Sequence, residues 1–302
     1  MNGLLEVTKT QTRWSGFFYF GQNSVILWPF YCTMEKKYLG LIAGNGKFPF
    51  LFARKARNQN YKVVAAGIRG DTSFFLRFFV DKYKWFEVGE LKKLFNYFKN
   101  SGVKRVMMAG QVDPGNLFEK NVAFDDEFRS LFDALSDRKA DTIFSAVADR
   151  LSDHGLELVD STFLLKEYLA PRGVITKRGP SIKELEDITF GSTIAKEMGS
   201  IDIGQTVVVK DKAIVAIEAM EGTDRTIVRG GAIARSGAVV VKMSKPDQDL
   251  RFDVPVIGPR TIKAMIKSKT KCLGIEAGKT LIIDYETCVK LANRFDICIV
   301  GA

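Results

Sequence analysis

The densest group of residues able to do chemistry is Glu218-Ala-Met-Glu221-Gly222-Thr223-Asp224-Arg225. Alternation along residues 213–219 reads as a strand, Gly222 breaks it, and Thr223 is placed to cap a helix beginning at Asp224. Carboxylates then meet where a strand hands over to a helix, with Arg225 and Arg229 close by. Mg²⁺ commonly uses only one or two protein carboxylates and completes its octahedron with waters and substrate phosphates. Carboxylates flanked by arginines therefore suit phosphoryl transfer without any histidine. A second reading stands beside this one: Asp224 complements the helix dipole while Glu218 and Glu221 stand in solvent. Spacing does not separate the two.

Other stretches suit anions. Gly44-Asn45-Gly46-Lys47-Phe48-Pro49 follows the first apolar run and opens a helix, where free backbone N–H groups face a phosphate. A dinucleotide fingerprint would need a third glycine at position 49, which is Pro49, and no acid ends the second strand. The loop thus reads as a phosphate site or as a plain strand-to-helix turn. Gly110-Gln111-Val112-Asp113-Pro114-Gly115 stands at the end of another strand, where Gln111 offers both donors and an acceptor to a uracil or sugar edge. Gly–Pro loops are also ordinary surface. Lys242-Met-Ser-Lys245-Pro246-Asp-Gln248-Asp249 resembles a phosphate-binding loop more than a nucleic-acid stripe, since no aromatics interleave its charges.

The single histidine, His154, reads as an exposed residue at a helix end before Gly155, and one histidine excludes His-rich metal centres and leaves a Ser-His-Asp relay without support. Four cysteines without a C-x-x-C pair read as structural thiols in a reduced compartment.

These residues need a scaffold, and the apolar pattern supplies one. Apolar runs at 38–43, 62–67, 84–88, 105–109 and 157–160 alternate with helical stretches at 48–58, 91–100, 128–135 and 140–151, which implies a parallel sheet with helices on both faces. The fold class expected is α/β, with a Rossmann-like first half. Pro and Gly punctuate Tyr168–Pro180, which suits a linker or hinge. Beyond it, strands at 206–210 and 213–219 flank Asp211-Lys212 as a two-residue hairpin, followed by strands at 238–243, 274–277, 280–284 and 297–300 and helices at 261–269 and 286–293. The second half is expected to be a mixed α/β domain.

The 302 residues are 46% hydrophobic and 26% charged, which excludes disordered and collagen-like classes. A net charge of +10 favours anionic partners. No helix gathers its Lys and Arg on one face, so no nucleic acid is expected. Residues 1–33 carry neither a membrane-length apolar run nor a signal-peptide pattern and read as an upstream extension from an early start.

Asp202-Ile-Gly204-Gln205, the Glu221-Gly222-Thr223-Asp224 segment, Lys245-Pro246-Asp-Gln248-Asp249, Phe252-Asp-Val-Pro255-Val-Ile-Gly258-Pro259 and Gly274-Ile-Glu276-Ala-Gly278 occur in this order. With Ala43-Gly44-Asn45-Gly46, Phe48-Pro49 and Gly110-Gln111-Val112 ahead of them, the chain from about Met34 to Ala302 resembles the LpxI-type UDP-2,3-diacylglucosamine pyrophosphatases of lipid A biosynthesis. That resemblance implies a Mg²⁺-dependent hydrolase, with Mn²⁺ as a substitute ion, that yields UMP and 2,3-diacylglucosamine 1-phosphate (lipid X) by water attack on the β-phosphorus. It implies a Rossmann-like domain over 34–170, a catalytic domain over 171–302 and a lipid cleft between them. Asp224 matches the family's essential aspartate, and Glu221 is expected beside it as catalytic group and metal ligand. Substrate contacts are expected from Asn45, Gly46, Lys47, Gln111 and Val112 in the first domain. Gly222, Thr223, Arg225, Lys245 and Gln248 are expected to supply them in the second. One departure is Ala234-Arg235-Ser236-Gly237, poorer in glycine than the family pattern. The partners implied are a lipid-linked nucleotide sugar, a transient contact with the inner-membrane surface from the cytoplasmic side, and a homo-oligomer. The competing reading is a non-catalytic nucleotide or phospholipid carrier using the same clefts.

Overall fold

The computed structural model describes residues 37–112, 124–137 and 140–302. Residues 1–33, Cys32 among them, and Asp113-Pro114-Gly115 lie outside the described residues. β1 (Tyr38–Ala43), β2 (Lys62–Ile68), β3 (Lys82–Phe86), β4 (Arg105–Ala109) and β5 (Glu157–Leu158) form a sheet in the order β3-β2-β1-β4-β5, every pair parallel. β1 and β2 read as near-continuous apolar runs because helices cover both their faces. Those helices are α1 (Phe48–Asn58), α2 (Leu91–Asn100), α3 (Asp126–Asp133) and α4 (Ala140–Asp153). The third strand begins at Lys82 rather than at 84, because an edge strand alternates and its lysines face out.

The second sheet has the order β6-β13-β11-β9-β7-β8. It comprises β6 (Gly173–Val174), β7 (Thr206–Lys210), β8 (Ala213–Ile217), β9 (Val239–Lys242), β11 (Cys272–Ile275) and β13 (Cys298–Gly301). β9, β11 and β13 run parallel while β6 and β7 run against their neighbours, so the sheet is mixed as expected. The β7–β8 turn is the expected Asp211-Lys212 pair, both residues at positive φ. The buried Asp187 carboxylate accepts both of their amides, at 3.1 and 2.7 Å.

Asp187 belongs to α5 (Ile182–Ser200), the longest described helix, which has no counterpart among the sequence-based expectations. Its start signal is nevertheless present: Ser181 and Glu184 form a reciprocal capping box. Its interior mixes Gly191 and Gly199 with Ser and Thr, so the apolar stripe is weak. Gly191 is there because the helix lies directly on Val209 and Val241, where a Cβ would stand 2.8 Å from their methyls. The remaining helices are α6 (Thr223–Ala234), α7 (Pro259–Ser268) and α8 (Tyr285–Arg294).

A two-stranded parallel ribbon, β10 (Val256–Ile257) with β12 (Leu281–Ile282), lies between the cores of the two halves. Period-2 alternation sends Val256, Leu281 and the following Ile283 into the first core, and Ile257 and Ile282 into the second. Segment 168–180 is no free linker. The Ala170 amide donates to Thr280 O, Leu169 bridges Leu281, Val174 pairs with Val300, and Arg178 forks onto Glu184 at 2.8 and 2.9 Å. His154 is half-buried rather than exposed, its ring 5.0 Å from Phe95 and its Nε2 3.6 Å from Glu127. Cys272, Cys288 and Cys298 are buried free thiols, and burial pushes Cys288 up to about 12.

Arg235, at the glycine-poor departure, closes α6 with φ 67° and ψ −44°, a conformation that favours glycine. Arg235→Gly is expected to stabilise the fold by about 1 kcal/mol, raising the thermal midpoint by a few degrees. A lower midpoint in a melting scan would show that the arginine contributes more than its backbone costs.

Candidate active site

The expected site residues sit at the carboxyl ends of both sheets, where open α/β sheets hold ligands. Past β1 and β4 the chain makes a close crossing. The Asn45 amide donates to Gln111 O at 2.7 Å and the Gln111 amide returns to Asn45 O at 3.3 Å. Glycine is required on both sides of that crossing: a Cβ at Gly44 would stand 2.5 Å from Gln111 O, and one at Gly110, whose φ is +91°, 2.4 Å from Asn45 O. Asn45, Gly46 and Gln111 are therefore brought together at the surface, with Val112 half-buried next to them.

In the second sheet, the start of α6 is set by Gly222 at φ 79°, with no side-chain cap. Thr223 is the first helical residue and not the cap, which leaves its hydroxyl free for another task. It donates to Glu218 Oε1 at 2.8 Å and accepts from Lys242 Nζ at 3.0 Å. Lys242 Nζ also lies 3.3 Å from Thr206 Oγ1 and 3.7 Å from Glu218 Oε2. Lys242 and Glu218 are thus a buried ion pair directly under the helix start. Burial alone would raise the Glu218 carboxyl, but the Lys242 ammonium and the Thr206 and Thr223 hydroxyls outweigh it and hold the group below the ordinary glutamate range. Glu218 is accordingly not solvated. The sequence signal for Lys242 was a charge closing the run Val239–Val241, a position that strand periodicity buries.

Asp224 and Glu221 do not share partners. Glu221 Oε1 meets Arg229 Nη2 at 2.5 Å and Thr226 Oγ1 at 3.2 Å, and its Oε2 accepts the Ala219 amide at 3.1 Å. The guanidinium of Arg229 holds its carboxyl below the usual range. Asp224 keeps a third of its side chain exposed and has Arg260 Nε, from the first turn of α7, at 3.4 Å. It stands with Arg225 in a groove of about 560 Å³ between α6 and α7, whose rim carries Arg229, Arg260, Lys263 and Lys267. The helices approach closely there because Gly231 faces Ser268, where a Cβ would stand 2.3 Å from the serine Cβ.

Lys245 and Gln248 are engaged by the protein itself. Lys245 Nζ bonds Asp202 at 2.5 Å and lies 3.4 Å from Asp253, and Gln205 Nε2 donates to Asp253 at 2.7 Å. Gln248 Oε1 accepts the Lys245 amide at 2.6 Å and its Nε2 donates to Asp253 O at 2.7 Å. The spaced motifs around Asp202-Gly204-Gln205 and Lys245–Asp253 are thus one hydrogen-bonded knot that shapes the chain leaving β9. Glu276 fastens its root, accepting Ser244 N at 2.9 Å and Ser244 Oγ at 2.5 Å.

Two connections carry the second sheet's carboxyl end to the first. Ser161 Oγ stands 2.8 Å from the carbonyls of both Met108, in β4, and Arg251. On the other side, Lys47 Nζ meets Asp284 Oδ2 at 2.5 Å, just past β12, while Arg260, just past β10, meets Asp224. The Gly44–Lys47 loop and Asp224 therefore contact the same end of the β10–β12 ribbon. Arg260 and Asp284 are site-forming residues that sequence spacing did not single out, since each is separated from its partner by more than thirty residues.

Among the described residues no three His, Cys, Asp or Glu side chains gather as a metal-binding set. A divalent cation that takes one protein carboxylate and fills its other positions with water and phosphate oxygens still fits Asp224, whose side chain is one-third exposed. For Glu221 to join the same ion its 2.5 Å pair with Arg229 must open, a tighter contact than the 3.4 Å one between Asp224 and Arg260.

The LpxI C-terminal domain family model matches residues 171–300, and the LpxI N-terminal domain model matches residues 38–168. The chain is 30% identical to the UDP-2,3-diacylglucosamine pyrophosphatase LpxI of Caulobacter vibrioides, over 87% of this chain and 96% of that protein. Among solved structures, the biotin carboxylase domain of a Hydrogenobacter thermophilus 2-oxoglutarate carboxylase aligns at TM-score 0.27 and 12% identity, over 65% of this chain and 41% of that one. A Campylobacter jejuni biotin carboxylase aligns at 0.26 and 9%, over 67% and 42%. Likeness that weak carries no argument. Both halves of the chain and the order of its motifs are accounted for by one group of proteins: this chain belongs to the LpxI family.

Proposed function

We propose that the chain hydrolyses the diphosphate of UDP-2,3-diacylglucosamine to UMP and 2,3-diacylglucosamine 1-phosphate. The observation that carries this reading is the state of the acids around α6. Glu218 is buried against Lys242 and Glu221 is tightly bonded to Arg229 at 2.5 Å, whereas Asp224 meets Arg260 at a looser 3.4 Å, a third exposed at an uncapped helix start amid Arg225 and Arg229. The first-turn amides and these guanidiniums suit the diphosphate oxygens. Asp224 would hold Mg²⁺, which when bound neutralises charge developing on the phosphoryl group. Water oxygen bonds to the β-phosphorus, the bridging P–O bond breaks, and the bridging oxygen leaves with UMP. Asn45 and Gln111 present amide groups for the nucleotide, on the first sheet's side of the ribbon. Lys245 and Gln248 act on substrate through the loop they shape.

Purified protein incubated with UDP-2,3-diacylglucosamine in ¹⁸O-water is expected to place label on the lipid phosphate, with turnover lost in EDTA and restored by Mg²⁺. Label on UMP would move the attack to the α-phosphorus. Tight binding with no products at all would make the protein a carrier.

A further inference from the structure

The segment leaving β2 carries an aromatic surface that the reaction does not use. Residues Phe74–Phe78 form a 3₁₀ turn, and Phe74, Phe75, Phe78 and Phe79 are 51, 66, 64 and 42% exposed. Four large apolar side chains open to water on six consecutive positions make a patch rather than scattered exposure. The only buried member of the turn is Leu76, which anchors it to the first core. Phe79 is braced edge-on by Phe50 of α1, at 5.2 Å between ring centres.

The surroundings specify what covers this patch. Arg77 lies 4.9 Å from the Phe74 ring and 5.4 Å from Phe78, within the patch itself. Arg54 follows Phe50 by one helical turn and is exposed. Between Phe50 and Lys84 the only acids are Asp71 and Asp81, against eight Lys and Arg. Asp81 is already engaged by Lys62 and the Val63 amide. Exposed aromatics rimmed by cations match an anionic bilayer surface, where rings enter the acyl boundary and basic groups meet headgroups. No described helix is long and apolar enough to cross a membrane, so such an attachment would be peripheral.

The patch is also tethered to the candidate site. Thr72, at its root, accepts the Ile68 amide at 2.8 Å and donates to Ala43 O, the residue before Gly44. We propose that Phe74, Phe75, Phe78 and Phe79 with Arg54 and Arg77 form a docking surface for the anionic face of a lipid bilayer, next to the Gly44–Lys47 loop. Docking there would let a diacyl substrate pass to the site from the membrane. That last consequence rests on the proposed lipid substrate, whereas the docking itself does not.

The test measures binding without substrate. The full chain is floated with vesicles of phosphatidylcholine and phosphatidylglycerol at 3:1, and with phosphatidylcholine alone. Binding is expected to the mixed vesicles, weaker to the neutral ones and falling with salt. Phe75→Ser with Phe78→Ser is expected to weaken partitioning about 30-fold, with an unchanged melting point and with turnover of detergent-dispersed substrate within twofold. Equal partitioning of variant and parent would overturn the proposal. So would loss of a dimer in the variant with vesicle binding intact, which would assign the face to a second copy. Equal loss of turnover on dispersed and vesicle-borne substrate, with vesicle binding intact, would make the patch a wall of the acyl groove and overturn it too. Vesicle binding by a protein that turns over no lipid would leave the docking surface standing and remove the proposed reaction.

Discussion

Asp224→Ala is expected to lower kcat by about 10³-fold while leaving the thermal midpoint unchanged. The side chain is one-third exposed and its partner Arg260 is almost fully solvated, so truncation leaves no buried charge behind. KM is expected to change far less than kcat, because a group that stabilises developing charge acts on the transition state more than on bound substrate. Asp224→Asn should lose nearly as much, since it keeps the shape but not the charge. Single-turnover assays and a melting scan on the same preparation decide this. A variant with a parental kcat would remove Asp224 from the chemistry.

The opposite pattern is expected at Glu218. Glu218→Gln leaves the Lys242 ammonium buried under α6 without a counter-charge, which costs on the order of 3–5 kcal/mol. In a protein of this size that lowers the midpoint by roughly 10 °C. The pair should be strongly non-additive, so Glu218→Gln with Lys242→Met should recover most of the loss. The acid side gives an independent reading. The folded-state pKa of Glu218 lies below its unfolded value, so its stabilisation is present above the unfolded value and is lost as pH falls through the folded one. Urea midpoints of the parent should therefore lose this contribution only in the acid range below about pH 4.5. The Glu218→Gln variant should lack that component of the pH dependence. A Glu218→Gln protein as stable as the parent near neutrality would show that the pair is not the support of the α6 start.

Several elements were legible because their sequence pattern and their burial have the same local cause. β1, β2, β4 and β9 are short apolar runs, and such runs have few fates other than a strand covered on both faces. The Asp211-Lys212 turn was legible from its length alone, since a two-residue loop between alternating strands leaves few geometries. α5 was not legible by periodicity, because Gly191 gains close packing on Val209 and Val241 at the loss of an apolar position.

For the site, chain order was enough to say which residues gather at the handover from β8 to α6, because neighbours along the chain stay neighbours in space. The same locality put Asp224 in a first helical turn and the Gly44 and Gly110 loops at strand ends. Which carboxylate remains available depended on contacts between distant elements. Lys242 reaches Glu218 across the sheet, Arg229 turns back on Glu221, and Arg260 arrives from another helix to face Asp224. Lys245 and Gln248, which read as substrate contacts, are instead joined to Asp202 and Asp253. Charges and amides bond at about 3 Å wherever the fold brings them, and that distance is set by sheet order and helix packing rather than by spacing in the chain.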